Sequence, residues 1–584
     1  MVENDKLHNL RHSLAHLLAA AVLEMYSDTK NTIGPSIEDG FYYDFEFKNP
    51  ISDKDLPKIE KKMKEILKSW KEFESAEKSE KEAKEHFKKN EYKVELIDEI
   101  VGKKEKITFY KCGDFTDLCR GGHLENPAKE IKPDSFKLDR VAGAYWRGDE
   151  KNKMLTRIYG LAFETKEELE TYIKMREEAE KRDHRKLGKE LEIFTFSEEI
   201  GAGLPLWLPN GMIMRQELEK WARETEIKWD YKHISTPHIT KKDLFEISGH
   251  LPFYKDDLYS PIDIEGEEYY LKPMNCPFAH MIYKSKPHSY RDLTLRLAEY
   301  GQVYRFERSG TLHGLMRARG FCQNDAHIYV KPEDAVAELV SVLEMHKYYY
   351  EKLNISEWWI ILGVRDTNNL RAKYHGDDKM WSEAEKLTRE ALDKFGVKYI
   401  IEEGGAAHYG PKADIYIRSV IGKEYAIGTV QLDLYMPDRF NLAYTDKDGK
   451  EKMPYIIHRA PLGSHERMIG FLLEHYGGNF PLWLSPVQVK VIPISEDKHL
   501  NYASGVFKTL KEDNIRVELD ESNESLSKKI RNAKTQKIPY LVIIGDKEKE
   551  SKKLTVEGRN NEKLENITTN EFLAKLKKEI EEKK

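Results

Sequence analysis

RHSLAHLLAA, residues 11–20, sets His12 and His16 four residues apart in an otherwise apolar stretch. On a helix that spacing puts both imidazoles on one face. A soluble protein seldom surrounds two histidines with leucine and alanine without a use for them. Three uses are open: metal ligation, orientation of a water, or packing. A second set of groups lies in YRFERSGTLHGLMRARGFCQNDAHIY. Arg305 and Glu307 are two apart on a predicted strand, a glycine-containing loop follows, and Arg317 and Arg319 are two apart on the predicted returning strand. Side chains two apart on a strand share a face, so all four are expected to point into one cleft. HRAPLGSHERMIGFLLEH then ends a strand and opens a helix near Gly463, with Arg467 in the first turn. A cleft lined by guanidinium forks suits a polyphosphate, and Glu307 among them can accept from an adenine amino group. A single Arg-x-Glu reads as a surface ion pair; its strand-loop-strand and strand-helix context favours a site.

These groups need scaffolds. At 584 residues the chain exceeds what one core organises, so three or four domains are expected. A composition of 40% hydrophobic, 11% aromatic and 34% charged residues excludes a disordered or fibrous protein. The net charge of −6 means that a polyanion would be met by local basic patches. Cys112, Cys119, Cys276 and Cys322 are too few for a disulfide framework, which favours a reducing compartment, by default the cytoplasm. The N-terminal apolar run is short and interrupted by His16 and Glu24, unlike a secretory signal or a membrane span.

Residues 7–26 carry apolar side chains at helical spacing, and TIGPSIEDGFYYDFEF reads as a turn running into aromatic-rich strands. DLPKIEKKMKEILKSWKEF is an amphipathic helix with Ile59, Met63, Ile66, Leu67 and Trp70 on the side that covers a sheet. The strongly charged stretch 164–193 is predicted to be a helical connector. Residues 194–484, dense in aromatics, arginines and β-prone runs, suggest a large α+β domain with an antiparallel sheet. From 485 to 584 strands and helices alternate, indicating an α/β domain with a parallel or mixed sheet.

FERSGTLHGLMRARGFCQNDAHIY and GSHERMIGFLLEH resemble motifs 2 and 3 of class II aminoacyl-tRNA synthetases, and KPMNCP, HYGPKAD, GTVQLD and IIHRAPLGSHER resemble threonyl-tRNA synthetases in particular. The resemblance covers almost the entire chain. It implies an α+β multidomain protein with an editing domain (1–163), the linker (164–193), a class II catalytic domain (194–484) and an anticodon-binding domain (485–584). It implies Arg305 on the ATP α-phosphate, Glu307 on the adenine edge, and Arg317 and Arg467 on the γ-phosphate side, with Mg²⁺ accompanying ATP. Pro237 falls at the motif 1 position, which implies a homodimer. The implied partners are ATP, threonine and tRNA(Thr), with no membrane.

The resemblance also implies a zinc ion held by Cys276, His327 and His458; by residue type alone each reads as a core residue. Three protein ligands leave open positions, which threonine can occupy with its amino group and hydroxyl. Valine lacks the hydroxyl and is expected to be refused, whereas serine keeps it and is expected to slip through. Gln323, Asp325, Tyr409 and Gln431 match positions that the family uses for amino-acid recognition and transfer. A site that admits serine needs a second, hydrolytic one. There His12 and His16 fit, with Asp117, Cys119 and His123 from FTDLCRGGH, resembling the domain that deacylates Ser-tRNA(Thr) in bacterial-type members. The preferred reading is metal-free, the cluster positioning a water and the 3′-adenosine, with histidine as general base. The H-x₃-H and C-x₃-H spacings also make a zinc set, and packing is the third alternative.

The chain departs from the family in three places. It begins almost directly at the histidine helix, so a preceding ubiquitin-like domain is expected to be absent. Phe278 stands where glycine is usual beside Cys276. Glu557 stands where an arginine is expected in the strand facing the anticodon, leaving Glu548 and Arg559 as candidates there. Rival readings are a synthetase for serine or proline, a metallohydrolase, and an inert RNA-binding relative; the arginines of motifs 2 and 3 argue against inertness.

Overall fold

Alanine and leucine from Leu14 to Val22 leave the helix Asp5–Met25 without a polar face, and its middle is buried on all sides. This is how the computed structural model, which describes residues 5–249, 251, 257–366, 374–419, 422–559 and 562–584, begins. The helix packs on an antiparallel sheet built from Gly40–Glu46, Met154–Ala162 and Phe136–Tyr145. The amphipathic helix Leu56–Leu67 lies beside it, burying Ile59, Met63 and Leu67, with Trp70 buried just beyond the helix. A second small sheet of Glu74–Glu77, Thr108–Cys112 and Phe115–Leu118 carries the C-x₃-H segment at its end.

The chain divides into two units, Met1–Glu177 and Glu178–Lys584. The expected connector is helical over Lys166–Arg182 and His184–Glu190, and the division falls inside the first of these helices.

In the second unit an eight-stranded sheet runs in the order Tyr231–His233, Leu295–Tyr304, Gly320–Val330, Tyr455–Ala460, Glu424–Asp433, Lys412–Arg418, Trp358–Val364, Tyr399–Glu403. Its six inner strands are antiparallel, and only the two outermost pairings are parallel. Helices Pro209–Lys228, Ala335–Lys352 and His465–Tyr476 contribute to one apolar core with the sheet. A buried ion pair crosses the back of the central strands: Arg459 donates to Glu226 Oε1 at 2.7 Å, and the Asn324 amide donates to the same oxygen at 2.8 Å. Removing one member of such a buried pair costs about 3–5 kcal/mol. The neighbours of these two residues, Asp325 and His458, face the other side of the sheet, so the ion pair fixes the strands from behind.

The last stretch forms a five-stranded mixed sheet in the order Val517–Leu519, Val489–Pro493, Tyr540–Ile544, Leu554–Gly558, Lys563–Ile567. The first three strands are parallel and the last two antiparallel. No helix among the described residues is long and apolar enough to cross a membrane.

Candidate functional sites

The register of the large sheet builds the central site. His327 pairs with His458, His458 with Gln431, and Gln431 with Lys412, which sets four polar side chains in a row across four strands. Paired residues project from the same face, and so do residues two apart. Asp325 and Gln323 join the row along one strand, and Asp433 along another.

At one end, Cys276 opens the helix Cys276–Lys284 and meets His327 and His458 so closely that one donor atom from each lies within 4.8 Å of the others. The buried Nε2 of His327 and Nδ1 of His458 meet no hydrogen-bonding partner. His458 Nε2 lies 2.9 Å from Asp433 Oδ2, which places a proton on Nε2 and turns Nδ1 inward. Burial holds the His327 imidazole well below its ordinary pKa and therefore neutral. For His458 burial acts in the same sense, but Cys276 and Asp433 outweigh it and push the value up to about 10, so Nδ1 also holds a proton, one that a metal would displace. Two imidazoles with orphaned nitrogens and one thiol form a donor set that fits zinc with an open coordination position. Beside it, Asn275 Nδ2 donates to Asp325 at 3.0 Å, and burial raises the Asp325 carboxyl. Tyr409 donates its hydroxyl to Gln431 Oε1, and its ring centroid lies 5.1 Å from that of His458. Phe278 is buried against Phe245 and Tyr270, one turn into the Cys276 helix.

The other end of the row opens into a cavity of about 310 Å³ lined by Arg305, Glu307, Arg317, Gln323, Gln431 and Arg467. The strand expectation is corrected here. The outgoing strand ends at Tyr304 and the returning one begins at Gly320, so Arg305, Glu307, Arg317 and Arg319 lie on the connection between them. The loop closes on itself through Arg305 N–H to Arg319 O at 2.9 Å and Arg317 Nε to Glu307 Oε2 at 2.8 Å. Arg319 is not one of the lining residues. Its guanidinium donates to the Glu307 carbonyl at 2.9 Å and lies over the Phe306 ring at 5.1 Å. Three arginines, not four, therefore face the cavity. Arg467 donates to the carbonyls of Met316 and Ala426 at 3.2 and 3.1 Å. Burial first, then Arg305 and Arg317, lower its pKa, the mark of positive charges gathered without their anion. At the helix start Gly463 adopts φ +56°, and a Cβ there would sit 2.2 Å from the Ile427 carbonyl oxygen. Only glycine brings that turn so close to the cavity wall.

In the first unit, His12, His16, Cys119 and His123 offer donor atoms all within 4.8 Å of one another. Cys119 Sγ lies 3.5 Å from both His12 Nε2 and His123 Nε2. His12 Nδ1 is 3.1 Å from the Gly122 carbonyl, which assigns its proton and turns the Nε2 lone pair toward the cluster. Phe73 stacks on His123 at 4.0 Å. Burial pushes His123 down to about 2, His16 well below its ordinary value and Cys119 up to about 11. The cluster is thus a set of neutral bases beside a protonated thiol. Asp117 lies behind it, with Oδ2 3.6 Å from His16 Nδ1. Sequence reasoning missed its partners: Lys93 Nζ is 2.5 Å from Asp117 Oδ1, and the Tyr43 hydroxyl donates to the other carboxylate oxygen. Both line the same cavity of about 380 Å³. Lysine on the charged helix Glu91–Gly102 gives no signal, since lysine usually faces water. Lys412 and Asp433 were missed as well; Asp433 shares the two-residue spacing of Gln431 on one strand, a signal that could have found it, whereas Lys412 meets Gln431 only through the register between strands.

The anticodon candidates are not brought together. Glu548 accepts from Gly545 N–H at 2.9 Å and from the Thr555 hydroxyl at 2.7 Å, capping its own helix. Arg559 donates to the Phe480 carbonyl at 2.7 Å and to Ser485 Oγ at 3.0 Å, and burial lowers its pKa to about 10. Both hold the local fold.

Comparison with known proteins gives three family matches along the chain. Residues 259–476 match the tRNA synthetase class II core domain (G, H, P, S and T), residues 488–579 an anticodon binding domain, and residues 107–159 the threonyl and alanyl tRNA synthetase second additional domain. The chain is 48% identical over 586 residues to a threonine–tRNA ligase of Sulfurihydrogenibium sp. (strain YO3AOP1), covering 100% of this chain and 90% of that protein. It is 47% identical over 571 residues to that of Borreliella burgdorferi (strain ZS7), covering 98% and 97%. Among solved structures, the RNA binding domain of threonyl-tRNA synthetase from Cryptosporidium parvum Iowa II superposes with a TM-score of 0.65 at 36% identity, over 68% of this chain and 98% of that one.

Proposed function

The chain belongs to the threonine–tRNA ligase family of class II aminoacyl-tRNA synthetases, and from that premise we propose how its residues divide the work. It joins threonine to tRNA at the expense of ATP, and its second additional domain edits mischarged tRNA.

For activation, Arg305 binds the α-phosphate, Glu307 accepts from the adenine amino group once it exchanges Arg317 for the nucleotide, and Arg317 and Arg467 take the γ-phosphate side. The threonine carboxylate attacks the α-phosphorus and pyrophosphate leaves; the terminal ribose hydroxyl of tRNA(Thr) then attacks the acyl carbon of the adenylate, and AMP leaves. Such a displacement asks for in-line placement and charge neutralisation, which the arginines and ATP-bound Mg²⁺ provide. Gln323, Asp325, Tyr409 and Gln431 orient the amino acid. A zinc held by Cys276, His327 and His458 would supply a Lewis acid whose open positions favour an amino acid carrying a hydroxyl over valine. Asp433 holds the His458 proton on Nε2 and so aims the other nitrogen inward. The observation that carries this reading is the row His327, His458, Gln431 and Lys412, which joins the donor set to the arginine cavity on one sheet face.

For editing, the neutral imidazoles of His12, His16 and His123 with Cys119 orient a water at the serine ester, without a metal, and Asp117 positions His16. We assign editing to residues 1–163, the connector to 164–193, catalysis to 194–484 and anticodon binding to 485–584. A homodimer through the exposed Pro237 region and a cytoplasmic setting, in keeping with four free cysteines, complete the proposal.

ATP–pyrophosphate exchange tests it: strong exchange is expected with threonine, weaker with serine, and essentially none with valine or proline. His16→Ala should let Ser-tRNA(Thr) accumulate while threonine exchange persists. Exchange with valine equal to that with threonine, or normal clearance of Ser-tRNA by His16→Ala, overturns the corresponding half.

A further inference from the structure

Behind the arginine cavity lies a buried group of polar side chains that touches no substrate position. His184 opens the helix His184–Glu190, and Glu474 belongs to the helix that carries Arg467; both side chains are 0% exposed. His184 Nδ1 is 2.8 Å from Glu474 Oε1, and the other carboxylate oxygen accepts from the Tyr425 hydroxyl at 2.8 Å. His184 Nε2 accepts the backbone N–H of Leu315 at 3.2 Å, which requires the proton on Nδ1 and a lone pair on Nε2.

These bonds bracket Arg467. Leu315 precedes Met316 and Tyr425 precedes Ala426, and the carbonyls of Met316 and Ala426 are the two that accept from the Arg467 guanidinium. One buried carboxylate thus anchors both walls between which Arg467 is suspended, directly on one side and through His184 on the other. The approach is close: a Cβ on Gly314, at φ +50°, would stand 2.2 Å from His184 Nε2. His313 packs its ring edge-on to His184 at 5.3 Å. A histidine whose two nitrogens are both spent, one donating and one accepting, with Gly314 close against the accepting one, has no latitude to turn.

We propose that His184, oriented by Glu474, is a positioning residue for adenylation: it holds the Leu315–Arg317 segment so that Arg317 and Arg467 meet ATP in fixed places. The inference rests on the assignment of the cavity to ATP. It gives the connector a part in the chemistry, since His184 lies in the charged stretch between the editing and catalytic residues.

The two amides that imitate halves of a histidine test it. Asparagine places its nitrogen near Nδ1 and can still donate to Glu474, but offers Leu315 nothing; glutamine reaches the Nε2 position and can still accept from Leu315. In pyrophosphate exchange, His184→Asn and His184→Ala are expected to raise KM for ATP about five- to tenfold, and His184→Gln no more than about threefold. KM for threonine and Ser-tRNA hydrolysis should stay within about twofold of wild type, and the melting temperatures of the Asn and Gln variants should not separate in the same order. Tyr425→Phe, which keeps the ring and removes one bond to Glu474, should raise KM for ATP about twofold. Equal KM values for ATP in the Asn and Gln variants, a parallel rise in KM for threonine, or an unchanged KM for ATP in Tyr425→Phe overturns the proposal. Arg467→Ala, assayed alongside, must lose exchange; if it does not, the cavity assignment is at fault and the proposal falls with it.

Discussion

Asp117→Asn is the most informative perturbation of the first unit. Asp117 is 1% exposed, its Oδ1 lies 2.5 Å from the Nζ of Lys93, itself 2% exposed, and its Oδ2 accepts from Tyr43. The amide keeps the shape and one acceptor but leaves a buried ammonium without its anion. Removal of one partner from such a pair costs about 3–5 kcal/mol, which increases local opening by roughly two to three and a half orders of magnitude (1.4 kcal/mol per decade). Hydrogen exchange of the segment 108–118 should therefore accelerate by that factor, while segments of the large sheet exchange as before. Because His16 loses the carboxylate 3.6 Å from its Nδ1, Ser-tRNA hydrolysis should fall at least about a hundredfold. Threonine exchange should be unaffected. Adding Lys93→Met removes the stranded charge and should recover most of the protection but none of the hydrolysis, separating the structural part of the ion pair from the chemical part. Wild-type protection together with wild-type hydrolysis in Asp117→Asn would refute the idea that this buried pair organises the editing cluster.

Other perturbations follow from the same geometry. Arg467→Ala should lower exchange about 10²- to 10³-fold, as loss of a preorganised charge does, with Ser-tRNA hydrolysis intact; steady-state kinetics decide it. Arg516 donates to the Trp483 carbonyl at 2.6 Å, the Ser485 carbonyl at 3.0 Å and Glu217 Oε1 at 2.8 Å, tying the C-terminal sheet to the helix Pro209–Lys228. Arg516→Ala should raise KM for tRNA several-fold in aminoacylation while leaving exchange unchanged, and an effect on exchange alone would contradict that role. His346 is buried and pushed down to about 4 by burial, so between about 6.5 and 4 the unfolded chain binds a proton that the folded one does not. Stability should thus be complete above about 6.5 and fall as pH drops toward 4, by up to about 3 kcal/mol. Chemical unfolding of His346→Leu across that range should lack this component.

The parts of the fold that repeat a pattern were legible before the structure. Leucine and alanine at helical spacing announced the histidine helix, the β-prone runs of 194–484 announced an antiparallel sheet, and the β–α alternation after 485 announced the mixed sheet. The arginines were identified, but not their support. Two-residue spacing suggested strands, whereas the strands stop at Tyr304 and start at Gly320, and the register between their ends, not their faces, brings the arginines together. Lys93 and Glu474 escaped notice because a single charged residue on a helix carries no sign of burial; only the tertiary fold shows that each sits opposite a counterpart more than twenty residues away in sequence. Arg559, just past the strand Leu554–Gly558, reads in the sequence as a candidate RNA contact, and only the tertiary fold shows that Phe480 and Ser485 hold its guanidinium.

The account turns on the donor set at the head of the sheet row, and metal content measured together with exchange addresses it most directly. Purified protein is expected to carry one zinc per chain in the catalytic unit, Cys276→Ser to lose both that zinc and threonine exchange while remaining folded, and wild-type protein to exchange threonine but not valine. Metal-free wild-type protein that activates threonine at the full rate would contradict it.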